Sequence, residues 1–289
     1  MHKSGVARWI VLSLLMAVCL GTSALKGTEK TPGKRFEGAK AGQERSDNGL
    51  KMKLVWCPAG KFKMGSAANE YGHNEQETQV DVTLTRGFWI GKYEVTQREW
   101  LELMKKPVWK GKDKVKEGPN FPASYLNWYN ASEFCKKLTE TERQAKRLPA
   151  DWEYVLPTEA QWEYACRAGT STRFKYTNGD HSFGEIAWYA ENAGNTKQEY
   201  AHQVGTKKAN AWGLHDTLGN VYEWCRDLNS EKLPGGKDPI NEKGFYRACR
   251  GGGFQVMPFV CRPANRLFNM PEYVAPDVGL RVALVRTGK

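Results

Sequence analysis

The sequence lacks several patterns by which common protein classes are recognised. None of its 7 cysteines forms a C-x-x-C pair, which excludes a zinc ribbon or a thioredoxin-type redox site. No segment of about 20–50 residues recurs along the chain, so a solenoid or a propeller is excluded. The chain does contain 40% apolar and 12% aromatic residues, which is too much for a disordered protein and enough for a sizeable core.

Long apolar runs are also missing, except near the N-terminus. Lys3 and Arg8 precede an apolar run over residues 9–20, and the small residues 21–24 follow it. This order is typical of a secretory signal peptide, and the run is short for a membrane span. We therefore predict that residues 1–24 are cleaved and that the protein is exported to the periplasm or beyond. An uncleaved anchor is the alternative.

The charge is strongly positive, but no nucleic-acid motif accompanies it. The net charge of +11 falls to +9 once Lys3 and Arg8 are removed with the signal peptide. A basic surface attracts anions in general. Here the cations are scattered along the chain, which favours an ordinary solvated surface. We predict no nucleic-acid partner and no membrane span after signal cleavage.

Six cysteines remain after the signal peptide, and their even number permits disulfides in an exported protein. The sequence alone does not choose among the pairings. The pairs Cys225–Cys261 and Cys166–Cys261 are the first to test. Cys19 lies within the signal peptide, where its surroundings match a lipid-attachment site poorly.

The body of the chain indicates many short strands. Residues 25–50 are polar and predict a flexible leader, so the folded domain is expected to span residues 51–289. Alternation and turn residues predict strands within residues 52–58, 60–65, 80–84 and 88–95.

Three helix starts are also marked. Thr96 with Glu99 and Thr158 with Gln161 have the spacing of capping boxes, and Asn127 can cap a helix between them. No long helical pattern follows the third helix. Few helices, many short strands and long loops predict a single α+β domain.

The most specific sequence block is Leu156-Pro-Thr-Glu-Ala-Gln-Trp-Glu-Tyr-Ala-Cys-Arg-Ala-Gly169. Other blocks lie at residues 55–66, 87–96, 210–216, 219–224, 250–252, 264–266 and 279–281. In content and order these blocks resemble the sulfatase-modifying-factor family, which includes the formylglycine-generating enzymes. The resemblance implies a C-type-lectin-like α+β fold with much irregular backbone.

The same resemblance implies an oxidase site that this chain does not complete. Formylglycine-generating enzymes hold copper between two cysteines five residues apart. Counted forward from Gly251, Cys261 takes the place of the second cysteine and Val256 that of the first. Counted back from Arg266, Cys261 matches neither, and on either count the pair is incomplete. Soft thiolates suit copper in its lower oxidation state, but one thiolate does not make such a pair. Cys261 is therefore the catalytic candidate only if the protein is an oxidase, and copper is expected only in that case.

Calcium is a second implication of the resemblance. The block Gly219-Asn-Val-Tyr-Glu223 matches a calcium loop in the family. The side chains of Asn220 and Glu223 offer oxygen ligands, which a hard cation prefers. A capped turn without metal is the alternative.

The missing cysteine points away from the named oxidation. We expect an exported family member that binds a peptide, a protein or a glycan through the loops around Cys261, with Trp224 and Arg266 among the contact residues. The alternatives are formylglycine generation, or a divergent oxidative maturation enzyme that needs no cysteine pair. The sulfoxide synthases of the family are excluded, because only 5 histidines are present and the extra iron-binding domain is missing.

Overall fold

A computed structural model describes residues 1–2, 36–170 and 181–288. The predicted signal peptide and the first part of the predicted leader lie almost wholly outside these residues. No helix in the described part of the chain is both long and apolar enough to cross a membrane.

The described strands form three sheets. In chain order they are β1 Glu44–Arg45, β2 Leu54–Cys57, β3 Gly60–Met64, β4 Val80–Leu84, β5 Phe88–Gly91, β6 Trp152–Val155, β7 Tyr222–Leu228, β8 Gly236–Lys237, β9 Arg247–Arg250, β10 Leu267–Asn269, β11 Val278–Gly279 and β12 Ala283–Arg286. The first sheet has the order β1-β2-β5-β12-β6 and is antiparallel throughout. The second has the order β10-β9-β7-β11, and the third β3-β4-β8.

The strands predicted from alternation are confirmed. β2 and β5 are buried along their whole lengths, and β12 pairs between β5 and β6 at the centre of the first sheet. The C-terminal strand therefore closes the sheet that the N-terminal strands begin. These short strands with few helices confirm the α+β class.

The three predicted helix starts are confirmed as well. The helices are α1 Gln97–Met104, α2 Trp128–Gln144 and α3 Glu159–Arg167. Thr96 and Thr158 each form the reciprocal capping box, and Asn127 accepts a hydrogen bond from the backbone N–H of Asn130. Trp100 of α1 stacks on Phe134 of α2 with ring centroids 5.4 Å apart, which joins the two helices in the core.

The predicted leader is shorter than expected. β1 pairs with β2, and Leu50 is buried in the main apolar cluster. The side chain of Asn48 donates to the carbonyl of Met52 and accepts from its N–H, at 2.7 and 2.9 Å. Because the backbone groups of this polar segment are hydrogen-bonded to the rest of the fold, the segment is part of it, and the folded domain begins before Lys51.

The chain between β9 and β11 forms a glycine turn and the segments that pack against it. A three-glycine turn at residues 251–253 follows β9. A short 3-10 helix at Pro258–Val260 comes next, and β10 then returns beside β9. β11 runs parallel to β7 with Val278 opposite Tyr222. This path places Cys261 and Asp277, which are 16 residues apart in sequence, against the same glycine turn.

Candidate functional site

The glycine turn leaves room for two functional side chains. Gly252 has a left-handed φ of +79°, and a Cβ there would lie 2.7 Å from the sulfur of Cys261. A Cβ on Gly253 would lie 2.5 Å from Oδ2 of Asp277. Both distances are too short for any side chain, so only glycine lets the turn pack against the thiol and the carboxylate.

Cys261 is fully buried beneath this turn. It packs in an apolar cluster with Phe183, Ala187 and Tyr189. Burial raises the pKa of the Cys261 thiol above its ordinary value, and the charge of Asp277 raises it further. The side chain is therefore a neutral thiol, whereas a nucleophile or a metal ligand has to be a thiolate.

The residues around Cys261 do not fit a copper site with two thiolates. Counted forward from Gly251, the place of the family's first cysteine is taken by Val256, whose side chain has no donor atom. Cys249 lies in β9 opposite Trp224 and Leu267, and burial raises its thiol pKa well above the ordinary value. Within residues 36–170 and 181–288, no three His, Cys, Asp or Glu side chains are grouped to hold a metal ion.

The two proposed disulfides are absent from the structure. All six described cysteines are buried free thiols, including Cys166, Cys225 and Cys261. Each of these three fills a place in an apolar cluster, and Cys261 belongs to a different cluster from the other two. The expected pairings are thus corrected, because the fold uses these side chains as small apolar core residues.

Asp277 lies on the other side of the turn and was missed in the sequence. Its side chain is 9% exposed, so it is largely but not completely withdrawn from solvent. Burial raises the pKa of the Asp277 carboxyl to about 6, while its own backbone N–H and Lys114 act in the opposite direction. In the described part of the chain, no cation forms a salt bridge with it and no other residue donates a hydrogen bond to its side chain.

Three tyrosines lie near Asp277, and backbone hydrogen bonds join two of them to residues 275–277. The N–H of Tyr222 donates to the carbonyl of Asp277 at 2.7 Å, and that of Tyr125 donates to the carbonyl of Ala275 at 3.1 Å. Tyr273 stands in the segment that leads into Asp277. Burial raises the pKa of the Tyr273 phenol, and the charge of Asp277 adds to the effect. We call Asp277, Tyr125, Tyr222 and Tyr273 the Asp277 cluster.

Exposed apolar side chains come from the two segments that end at Cys261 and Asp277. Met257 and Phe259 precede Cys261 and are 38% and 37% exposed. Met270 and Val274 precede Asp277 and are 61% and 46% exposed. We call these four residues the rim. Exposed apolar side chains that form a contiguous patch are typical of a contact surface.

The predicted calcium ligands do not fit a calcium site. Both carboxylate oxygens of Glu223 accept hydrogen bonds from Arg281, and Oε2 also accepts from the indole of Trp162 at 2.6 Å. The amide oxygen of Asn220 accepts from the N–H of His202 at 2.8 Å. A fixed guanidinium already pairs with Glu223, so both of its carboxylate oxygens are engaged.

The predicted contact residues Trp224 and Arg266 are structural in this fold. Trp224 is completely buried, and its indole N–H donates to the carbonyl of Leu126 at 2.7 Å. Arg266 makes a bidentate ion pair with Glu159, at 2.7 and 2.8 Å, and its side chain is 2% exposed. Neither side chain is exposed enough to meet a partner at the surface.

Sequence reasoning missed these residues because their signals are weak. Asp277 stands between Pro276 and Val278 in a short tail segment, and only its isolation among apolar neighbours sets it apart. Tyr222 belongs to a recognised block, where an aromatic residue is expected to fill the core. Their proximity depends on the parallel pairing of β7 with β11, which no local pattern predicts.

Together these features define a class of protein. In the described part of the chain, short sheets, three α-helices and long loops are joined by buried arginine–glutamate ion pairs. The thiol of Cys261 and the carboxylate of Asp277 pack against the glycine turn, and among the described residues neither forms an ion pair or a disulfide. The chain belongs to the sulfatase-modifying factor enzyme 1-like domain family, whose model matches residues 40–286.

Similar proteins have different names. The chain is 29% identical over 269 residues to the chaperone protein LppX of Paenibacillus barcinonensis, a match that covers 79% of this chain and 88% of that protein. It is 24% identical over 315 residues to the formylglycine-generating enzyme of Streptomyces coelicolor, covering 88% of this chain and 94% of the enzyme.

A solved structure supports the fold. The structure of PvdO from Pseudomonas aeruginosa matches with a TM-score of 0.72 and 25% sequence identity. The match covers 86% of this chain and 99% of that chain. The C-type-lectin-like fold implied by the sequence blocks is confirmed, while the names of the similar proteins leave the activity open.

Proposed function

We propose that this protein is an exported binding module for extended polypeptide segments, and that the rim and the Asp277 cluster form its contact surface. The observation that carries the proposal is the contrast at the glycine turn. The thiol that an oxidase would use is fully buried, whereas Tyr273, Met270 and Val274 are 44%, 61% and 46% exposed on the segment that leads to Asp277.

The physical properties of the rim suit a polypeptide. Met270 and Val274 are exposed apolar groups whose burial would contribute about 25 cal/mol for each Å² removed from water. Methionine side chains adapt to partners of varied shape, which suits a protein that binds many segments. A similar protein of comparable length is called a chaperone, and a chaperone has to hold polypeptide chains.

Formylglycine generation is the competing function, and the donor set argues against it. Copper in that role needs two thiolates, and here one of the two positions is Val256. Oxidation of a peptide cysteine therefore has no metal centre of the required kind in this chain. Other binding chemistry at the same surface, such as glycan recognition, would leave apolar side chains like Met270 without a matching group.

The proposal is tested by fluorescence anisotropy with labelled peptides. A set of unstructured, apolar-rich peptides of about ten residues is titrated with the mature protein, and micromolar binding is expected. Replacing Met270 and Val274 together by serine should weaken binding at least about tenfold, which is about 1.4 kcal/mol. The matched control is Phe245→Ser, because Phe245 is 86% exposed on a loop outside the rim.

Two results would overturn the proposal. One is binding to a glycan array with no detectable binding to any peptide. The other is aldehyde formation on a Cys-x-Pro-x-Arg peptide incubated with the protein, copper and oxygen, detected by mass spectrometry. Export is tested separately, by fractionating cells that express the full chain and by determining the N-terminus of the mature protein.

A further inference from the structure

We propose that Asp277 and its tyrosines recognise a cationic side chain, lysine or arginine, within the bound segment. This inference rests on the proposed binding of polypeptides and adds its selectivity. Apolar contacts at the rim would supply general affinity, and the Asp277 cluster would choose which segments are held.

Asp277 differs from the other buried carboxylates in having no partner from another residue among those described. Four buried glutamates each lie within 3.2 Å of an arginine nitrogen. They are Glu77, Glu159, Glu163 and Glu223. Glu94, Asp216 and Asp227 likewise form no salt bridge within the described part of the chain, but each accepts a hydrogen bond from another residue. Asp277 is comparably withdrawn from water, and among the described residues its side chain has neither an arginine partner nor a donor from another residue. A buried carboxylate without a counterion is unfavourable, and a cation from outside would relieve that cost.

The nearby internal cation, Lys114, is already paired with another carboxylate. Lys114 is close enough to lower the pKa of Asp277, but its amine lies 3.1 Å from the carboxylate of Glu199. The lysine is also 40% exposed, so its charge is screened by solvent. Asp277 therefore keeps its capacity for a second, closer cation.

The aromatic rings of the tyrosines in the Asp277 cluster suit a cationic ligand. Aromatic faces attract ammonium and guanidinium groups. Tyr125 is held in a left-handed conformation with φ of +57°, and its hydroxyl donates to the carbonyl of Asp113 at 3.0 Å. Non-glycine residues adopt this backbone rarely, so the ring of Tyr125 is fixed in place at some cost in strain. Tyr273, which is 44% exposed, can meet a ligand directly.

The overall charge makes the local carboxylate selective. The chain carries a net charge of +11, so the molecule as a whole repels cations at long range. A basic side chain would be retained only where a negative group meets it at short distance in a partly dry environment. Recognition of this kind depends on the position of the basic residue in the segment and not on its total charge.

The test compares two labelled peptides, blocked at both ends, that differ at one central position. One has lysine there and the other has norleucine, which keeps the length of the side chain without its charge. The wild-type protein should bind the lysine peptide about tenfold more tightly at pH 7.5. In Asp277→Asn the ratio of the two affinities should fall to about one, and in Tyr273→Leu it should fall by about threefold. Asp81→Asn, an exposed site on another sheet, should keep the full ratio.

The outcomes separate this inference from the proposed function. Equal binding of both peptides by the wild-type protein would overturn the cation site and leave polypeptide binding intact. Absence of binding to either peptide would overturn both. The ratio should also decline below about pH 6, as Asp277 takes up a proton in the free protein. A ratio that is unchanged in correctly folded Asp277→Asn, as judged by circular dichroism, would assign the selectivity elsewhere.

Discussion

Glu223 and Arg281 form a bidentate ion pair at the centre of the domain. Nη2 of Arg281 lies 2.6 Å from Oε1 of Glu223, and both side chains are completely buried. Arg281 also donates to the carbonyls of Gly91 and His215, each at 2.9 Å. One guanidinium thus joins β5, β7 and the segment that contains His215.

Removing this guanidinium should strongly destabilise the fold. We expect Arg281→Met to lower the free energy of unfolding by about 3–5 kcal/mol, because Glu223 would stay buried without a counterion. Urea unfolding followed by tryptophan fluorescence measures the change. The control is Asp81→Asn, which breaks an exposed pair with Lys63 and should cost less than about 1 kcal/mol. A similar loss in the two variants would show that burial of the pair has no special weight.

Calcium should leave the thermal stability unchanged. The oxygens of Glu223 are already used by Arg281 and Trp162, so this predicted ligand has no free carboxylate oxygen. A ligand at a hundred times its Kd would add about 2.7 kcal/mol and raise Tm by several degrees. We expect less than about one degree of difference between millimolar calcium and EDTA in differential scanning calorimetry. A clear rise with calcium would restore the site that the sequence suggested.

The parts of the fold that the sequence predicted correctly are local. Thr96 with Glu99 and Thr158 with Gln161 are three residues apart, and the cap geometry follows from that spacing alone. Alternation likewise identified the strands around Val82, since it depends only on which residues share a face.

The parts that could not be predicted depend on distant pairings. Glu223 and Arg281 are 58 residues apart, and Arg266 and Glu159 are 107 apart, so neither pair has a sequence pattern. The calcium prediction for Glu223 and the contact prediction for Arg266 both assumed free side chains. The structure satisfies these groups internally, and it leaves Asp277, which no motif had marked, without an ion-pair partner among the described residues.

The glycine turn should tolerate no side chain at Gly252. Alanine there would be strained by the left-handed φ and would also overlap Cys261, so we expect a loss of about 2–4 kcal/mol in stability. The control is Gly213→Ala, because Gly213 has φ of +85° but nothing within 4 Å of a Cβ, and it should cost about 1–2 kcal/mol. Equal losses in urea unfolding would mean that Cys261 does not press on the turn.

The six described cysteines should react with a thiol reagent only after unfolding. All are buried as free thiols, so the mature native protein should show no fast reaction with a disulfide-exchange dye. In denaturant without reductant, all six should react. Four or fewer reactive thiols under those conditions would establish a disulfide, and peptide mapping would then identify the pair.

Acid should weaken the fold through His202. The ring of His202 stacks on Trp188 with centroids 3.7 Å apart, and burial lowers the pKa of the imidazole to about 4, with Lys207 acting in the same direction. The ring is therefore neutral in the folded protein, while the unfolded chain binds a proton below about pH 6.5. The unfolded state holds more protons between these values, so this contribution to stability is complete above about pH 6.5 and is lost as pH falls towards 4.

The loss cannot exceed about 3 kcal/mol, since each pKa unit corresponds to about 1.4 kcal/mol. Carboxyl groups with raised pKa values, such as Asp277, act in the opposite sense in this range, so the wild-type curve alone does not isolate His202. The measurement is the free energy of unfolding from pH 7.5 to 4 for the wild type and for His202→Gln. The difference between the two should shrink steadily as pH falls. A constant difference across the range would show that His202 does not titrate between its folded and unfolded pKa values.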